Sequence, residues 1–240
     1  MTKKRMRARE QRQQAQRTQW TADELGLDPA RYLEMLRHVF DRASPDRDDD
    51  ASPLDATPLE WTRFQTVLFS NGQADLAGFD DDQVGAGLRH LMDNGHSDVP
   101  YAAIDPSVPL PEAMRMMAAM PGVWRGVFGP RLAHVHRRIG SGSDLLGTTC
   151  YMWFDVWPTF HLARSVLEWR DAMWELLSQL LAMPWREVQV SALHGIGHNA
   201  GDLARQPAID AAIAAFVQQV DLADVEVRTY AEAARLGRVQ

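Results

Sequence analysis

Cysteine is nearly missing: Cys150 is the only one in 240 residues. A single thiol excludes an internal disulfide and a thiolate zinc cluster, and it predicts a reducing, cytoplasmic setting. Lysine is almost as scarce, with Lys3 and Lys4 the only two; every later basic residue is Arg. No stretch reaches the roughly eighteen apolar residues needed to span a bilayer. The basic N-terminus leads into Gln and Arg and not into an apolar segment, so neither a membrane partner nor a secretory signal is expected. Period-two strand patterns are almost absent. So are a Gly-x-Ser-x-Gly elbow and a dinucleotide-binding turn, and Gly140-Ser-Gly-Ser-Asp144 lacks the Gly-Lys-Ser/Thr end of a phosphate loop.

What is present is ordinary for a globular chain: 45% hydrophobic and 24% charged residues. The charge is unevenly placed. Residues 1–17 hold seven basic side chains against Glu10 and carry +6, so the rest carries −13 of a formal total of −7. An acidic body repels nucleic acid over most of its surface, and nucleic acid is not expected as a partner. Residues 1–20 gather no apolar face, and isolated helices of that length are marginal in water, so a disordered basic tail is expected there.

Helix signals recur along the remainder. Asp28-Pro29 is an N-cap and N1 pair ahead of Leu33, Leu36 and Phe40. Residues 44–56, rich in Pro and Asp, predict an exposed linker within an N-terminal region of 21–140. Thr57 and Glu60 have capping-box spacing, opening a helix that carries Trp61, Phe64, Val67 and Leu68 and is expected to stop before Asn71-Gly72. Asp80–Asp82 open the next, with Val84, Leu88, Leu91 and Met92 as its stripe and Gly95 suited to its end. Four prolines mark 96–111 as irregular, and a short Met-rich helix follows over about 111–120. Beyond the Gly140–Asp144 loop, the spacing predicts one long helix over 160–182, then helices from Arg186, Pro207 and Asp221.

That rhythm predicts an all-α fold of antiparallel helical pairs over 145–240, behind an irregular helical N-terminal half. The run Glu187-Val188-Gln-Val-Ser191-Ala192-Leu193-His-Gly195-Ile196-Gly197 resembles the second helix of a HEAT repeat, over roughly residues 160–236. The small residues Ala192, Gly195 and Gly197 would admit a close neighbouring helix. The resemblance implies stacked helical hairpins of the HEAT-like α-solenoid type, with an extended face for partners.

Three candidate sites stand out. His194 and His198 are four apart, so on a helix both imidazoles share a face, as in zinc-binding helices. Position 195 is Gly, where a metalloprotease helix has Glu, and a third ligand would come from Asp202, His161 or Asp155. The aromatic stretch Tyr151–His161 carries Trp153, Trp157 and His161 around Asp155. Buried among indoles, Asp155 would be desolvated and suited to general acid or base work, while the two Trp could stack on a flat ligand. The plainer reading is an aromatic core plug, with Asp155 pairing an Arg such as Arg164. HEAT-like DNA glycosylases offer an analogy, implying Trp and Asp in a concave groove, but they need a basic groove and this body is acidic. Finally, Arg137-Arg138 after His134 and His136 could hold phosphate or carboxylate, or form a solvated helix end.

The expected function is a non-enzymatic interaction or scaffold module with a basic or amphipathic protein partner and no cofactor. The alternatives are an enzyme using Trp153, Asp155 and Trp157, and a metal-binding protein using His194 and His198.

Overall fold

The computed structural model describes residues 19–41, 54–141 and 144–239. The basic tail up to residue 18 and most of the 44–56 linker lie outside the described residues. Those described form helices and turns without a strand, so the all-α expectation holds.

The N-terminal helices begin where side chains satisfy the free backbone amides of the first turn. Helix α1 (Pro29–Phe40) starts after Asp28, whose carboxylate accepts from the Ala30 amide at 2.7 Å and the Arg31 amide at 3.1 Å. Helix α2 (Pro58–Asp75) opens on the expected capping box: Thr57 Oγ1 accepts from the Glu60 amide, and the Glu60 carboxylate from the Thr57 amide. It does not stop before Asn71-Gly72. Asn71 donates from Nδ2 to the carbonyls of Val67 and Trp20, and a Cβ on Gly72 would come within 3.0 Å of Val127. The pair is therefore a packing feature inside the helix and not a turn. Helix α3 (Asp81–Met92) is capped by Asp80 and Gln83, and it ends at Asp93, short of Gly95. A 3-10 turn, Val99–Ile104, occupies part of the proline-rich connection, and α4 (Leu110–Ala119) is the Met-rich helix. After it the chain coils on through Pro121–Val123, a π-turn Trp124–Phe128 and Gly129–Leu132.

Helix α5 (Leu145–Val156) is capped by Asp144 and ends because Pro158 forces Trp157 into an extended conformation. The long helix expected over 160–182 is two pieces, α6 (Pro158–Ala163) and α7 (Leu167–Leu181). At the break, Arg164 Nη1 donates to the His161 carbonyl at 2.9 Å, an acceptor that a continuous helix would give to the Ser165 amide. Trp169, Met173, Leu176, Leu177 and Leu180 are buried as the spacing predicts, whereas Leu162 and Val166 face solvent. The chain closes with α8 (Arg186–Leu203), α9 (Gln206–Gln219) and α10 (Val225–Arg235).

One apolar core runs through both halves of the chain. Helix α5 lies against α3 on one side and α8 on the other, while α8 also packs on α7 and α10. Small residues set these distances. A Cβ on Gly85 would come within 2.7 Å of the Leu146 amide nitrogen, and one on Gly195 within 2.7 Å of both Leu177 and Phe154. The role read for Gly195 in close helix approach is thus met. No helix among the described residues is long and apolar enough to cross a membrane.

Candidate metal centre

Tyr151 and Asp155 are four apart on α5, and His194 and His198 four apart on α8, so each helix presents two polar side chains on one face. Three contacts bring these faces together. Ser191 Oγ donates to the Cys150 carbonyl at 2.6 Å, the Tyr151 and His194 rings lie 4.1 Å apart, and His198 Nδ1 is 3.6 Å from Asp155 Oδ1. Both helices advance in the same direction through these pairs, so Asp155 meets His198 one turn beyond the Tyr151–His194 contact.

The result is a two-histidine, one-carboxylate cluster. Asp155, His194 and His198 each offer one ligand atom, all within 4.8 Å of one another. Ligands about 2.0–2.2 Å from a common ion stand roughly 3–3.5 Å apart, so the half-exposed Asp155 and His198 side chains must swing inward to close on one. His194 is fixed. The residue is 1% exposed, and Nδ1 lies 2.6 Å from the Tyr230 hydroxyl of α10, which is itself 3.0 Å from the Tyr151 hydroxyl. With the proton on Nδ1 donated to Tyr230, the lone pair of Nε2 is directed away from the hydroxyl pair. Nε2 is buried and has no hydrogen-bond partner among the described residues. An orphaned buried nitrogen costs roughly 1–3 kcal/mol, which a Lewis acid at this position would offset. Burial, reinforced by the nearby His198, pushes the His194 imidazole down to about 3, so it stays neutral and ligand-competent across the ordinary pH range. Burial also raises the Tyr151 and Tyr230 phenols, keeping both protonated as hydrogen-bond donors.

Of the three possible third ligands, the fold brings Asp155 to the pair. His161 is exposed on α6, 4.0 Å from Asp202, and Arg164 is 3.4 Å from the same carboxylate. Arg164 therefore pairs with Asp202 and not with Asp155. Asp155 is not buried among indoles either; its side chain is 37% exposed.

Trp153 and Trp157 turn inward, 1% and 5% exposed. Trp153 meets Trp124 at 5.0 Å and Phe128 at 6.1 Å, while Trp124 stacks on Phe154 at 5.5 Å and 10°. These rings form the core plug. Neither indole offers a face to a ligand, so the stacking role and the glycosylase analogy have no exposed platform here. Cys150 is a free, buried thiol, pushed up by burial. Arg137 forms an ion pair with the helix-capping Asp144, and its carbonyl accepts from Arg186 at 2.9 Å, so its cation has a partner within the fold.

Sequence reasoning found the two histidines and named Asp155 among possible ligands. It missed Tyr230, because nothing in the pattern of α10 says which residue of that helix faces α8.

The helices thus define an all-α protein with a two-histidine, one-carboxylate constellation at one helix crossing. Compared with protein-family models, curated proteins and solved structures, the chain matches none.

Proposed function

We propose that the protein binds a divalent first-row transition ion through Asp155, His194 and His198, with an open position for water or substrate. The observation that carries this reading is His194 Nε2, a buried nitrogen without a partner among the described residues, on a ring whose Nδ1 lies against the Tyr230 hydroxyl. Two imidazoles and one carboxylate suit zinc, iron(II), cobalt or manganese better than calcium or magnesium, which favour all-oxygen sites. Three protein ligands leave at least one coordination position free, as in catalytic and unlike closed structural sites. With Asp155 and His198 partly exposed, that position would open toward solvent. A bound ion would supply Lewis acidity and a water acidified toward neutrality, which fits metal-assisted hydrolysis or hydration. Elemental analysis of protein purified without a His-tag tests this. Near-stoichiometric metal, lost in His198→Ala and in Asp155→Asn, is expected. A metal-free protein whose melting temperature ignores both chelator and added zinc, iron(II), cobalt or manganese would overturn it.

The scaffold reading has one observation of its own. Leu162, Val166 and Leu167 are 57%, 38% and 56% exposed around the α6–α7 corner, at the edge of the segment that resembles a HEAT repeat. Such a patch suits the apolar face of an amphipathic protein segment. Crosslinking in the native host, with and without Leu162→Glu and Leu167→Glu, tests it; a partner insensitive to both substitutions would contradict this surface.

A further inference from the structure

Far along the chain from the histidine pair of α8, His38 of α1, residues 54–56, α2, α3 and the Val99–Ile104 turn line an open cavity of about 650 Å³. That lies inside the roughly 300–1,000 Å³ typical of small-molecule sites. Its walls include the rings of Trp61, His90, His96 and Tyr101 and the carboxyl residues Asp98 and Asp105. The walls are preformed. Trp61 and His90 meet edge to face at 6.4 Å, and Asn94 Nδ2 donates to the Tyr101 hydroxyl at 2.8 Å. Ser97 Oγ donates to the His90 carbonyl and accepts from the Val99 amide, which fixes the loop between α3 and the turn.

Among the described residues, the carboxylates are the only fully charged groups lining this cavity, beside the imidazoles of His38, His90 and His96. Asp98 and Asp105 form no ion pair with Arg or His among the described residues, whereas the neighbouring Asp93 lies 3.2 Å from Arg89 and 3.6 Å from His96. Asp105 is held below the usual carboxylate range by the Ser107 hydroxyl and amide, so it is ionised at neutral pH. An anionic ligand would meet two like charges here. A cation would find counter-charges beside aromatic faces, the pairing that recognises organic ammonium groups. The acidic body adds a field of the same sign.

From the aromatic walls and the two uncompensated carboxylates, we infer that this cavity is a binding site for a small organic cation: an amine carrying a flat apolar body. The amine would sit toward Asp98 and Asp105, and the body against Trp61 and Tyr101. This site is independent of the proposed metal centre.

The test uses three probes of one shape and different charge: phenethylamine, phenethyl alcohol and phenylacetate. Each is titrated into the full-chain protein and followed by NMR of the Trp61, Tyr101 and His90 rings. The expected order is amine above alcohol above acid, with the amine about tenfold tighter than the alcohol. Replacing both carboxylates, Asp98→Asn with Asp105→Asn, should bring that ratio close to one while the helical circular dichroism is retained. The inference is overturned if phenylacetate binds as well as the amine, if the double variant keeps the preference, if the shifts map elsewhere, or if none of the three binds at millimolar concentration.

Discussion

The Tyr230 hydroxyl on α10 lies 2.6 Å from Nδ1 of His194 on α8, which leaves Nε2 as the imidazole nitrogen open to a ligand. Outer-shell partners of this kind set tautomer and ring orientation, and losing one typically costs about 10–100-fold in metal affinity. Tyr230→Phe should therefore weaken zinc binding by about that factor without abolishing it. Competition against a chromophoric chelator reads the change. An unchanged affinity would mean that packing alone orients His194.

Gly195 should not tolerate a methyl group. Its Cβ would come within 2.7 Å of Leu177 and of Phe154, one on each neighbouring helix. Alanine gains helix propensity but overpacks this crossing, for a net loss of about 1–2 kcal/mol in Gly195→Ala. Urea denaturation measures it. A variant as stable as the parent would show that α5 and α7 can move apart freely.

Ala204 ends α8 in the left-handed region at φ 53°, without being Gly. The left-handed conformation costs a Cβ-bearing residue about 1–2 kcal/mol, and glycine's extra unfolded-state entropy returns part of that. Ala204→Gly should stabilise by about 0.5–1 kcal/mol and raise the melting temperature by a few degrees. A fall in melting temperature would contradict the strain.

The capping box of α2 has a pH signature. The Thr57 amide and hydroxyl, with help from Arg31, hold Glu60 below its ordinary range. A carboxylate lowered in the folded state adds stability above its unfolded pKa, and that increment is lost as pH falls through the folded value. Glu60→Gln should therefore cost about 0.5 kcal/mol at neutral pH, and the gap between variant and parent should narrow in acid. Urea melts at neutral and acidic pH compare the two; a gap that widens in acid would have the wrong sign.

How far the sequence carried depended on how local each determinant was. The caps at Asp28 and Thr57–Glu60 were legible because the residues that satisfy the first-turn amides lie within three positions of one another, while Asp80–Asp82 was legible only as the charged start of a helix that Asp80 and Gln83 cap. Asn71-Gly72 misled, since its helix is held by distant partners, Trp20 and Val127, that no local pattern contains. Leu162 and Val166 fit a helical stripe on paper, but Arg164 takes the His161 carbonyl and the stripe breaks. At the candidate site, the i,i+4 spacing of His194 and His198 was visible, whereas the choice of Asp155 over Asp202 and His161 depends on how α5 lies along α8. Aromatic richness in Tyr151–His161 did not reveal which rings turn inward; the Trp124 plug from a distant segment decides that.

The most direct measurement is cobalt(II) spectroscopy on the untagged protein. If Asp155, His194 and His198 hold a metal, one equivalent of cobalt(II) should give visible d–d bands of a low-coordinate nitrogen and oxygen site, with no thiolate charge-transfer band because Cys150 is buried. X-ray absorption of the same sample should show two imidazoles. His194→Ala should remove both signatures while the helical circular dichroism persists. Cobalt(II) that stays fully hydrated in the presence of the folded parent protein would contradict the metal centre.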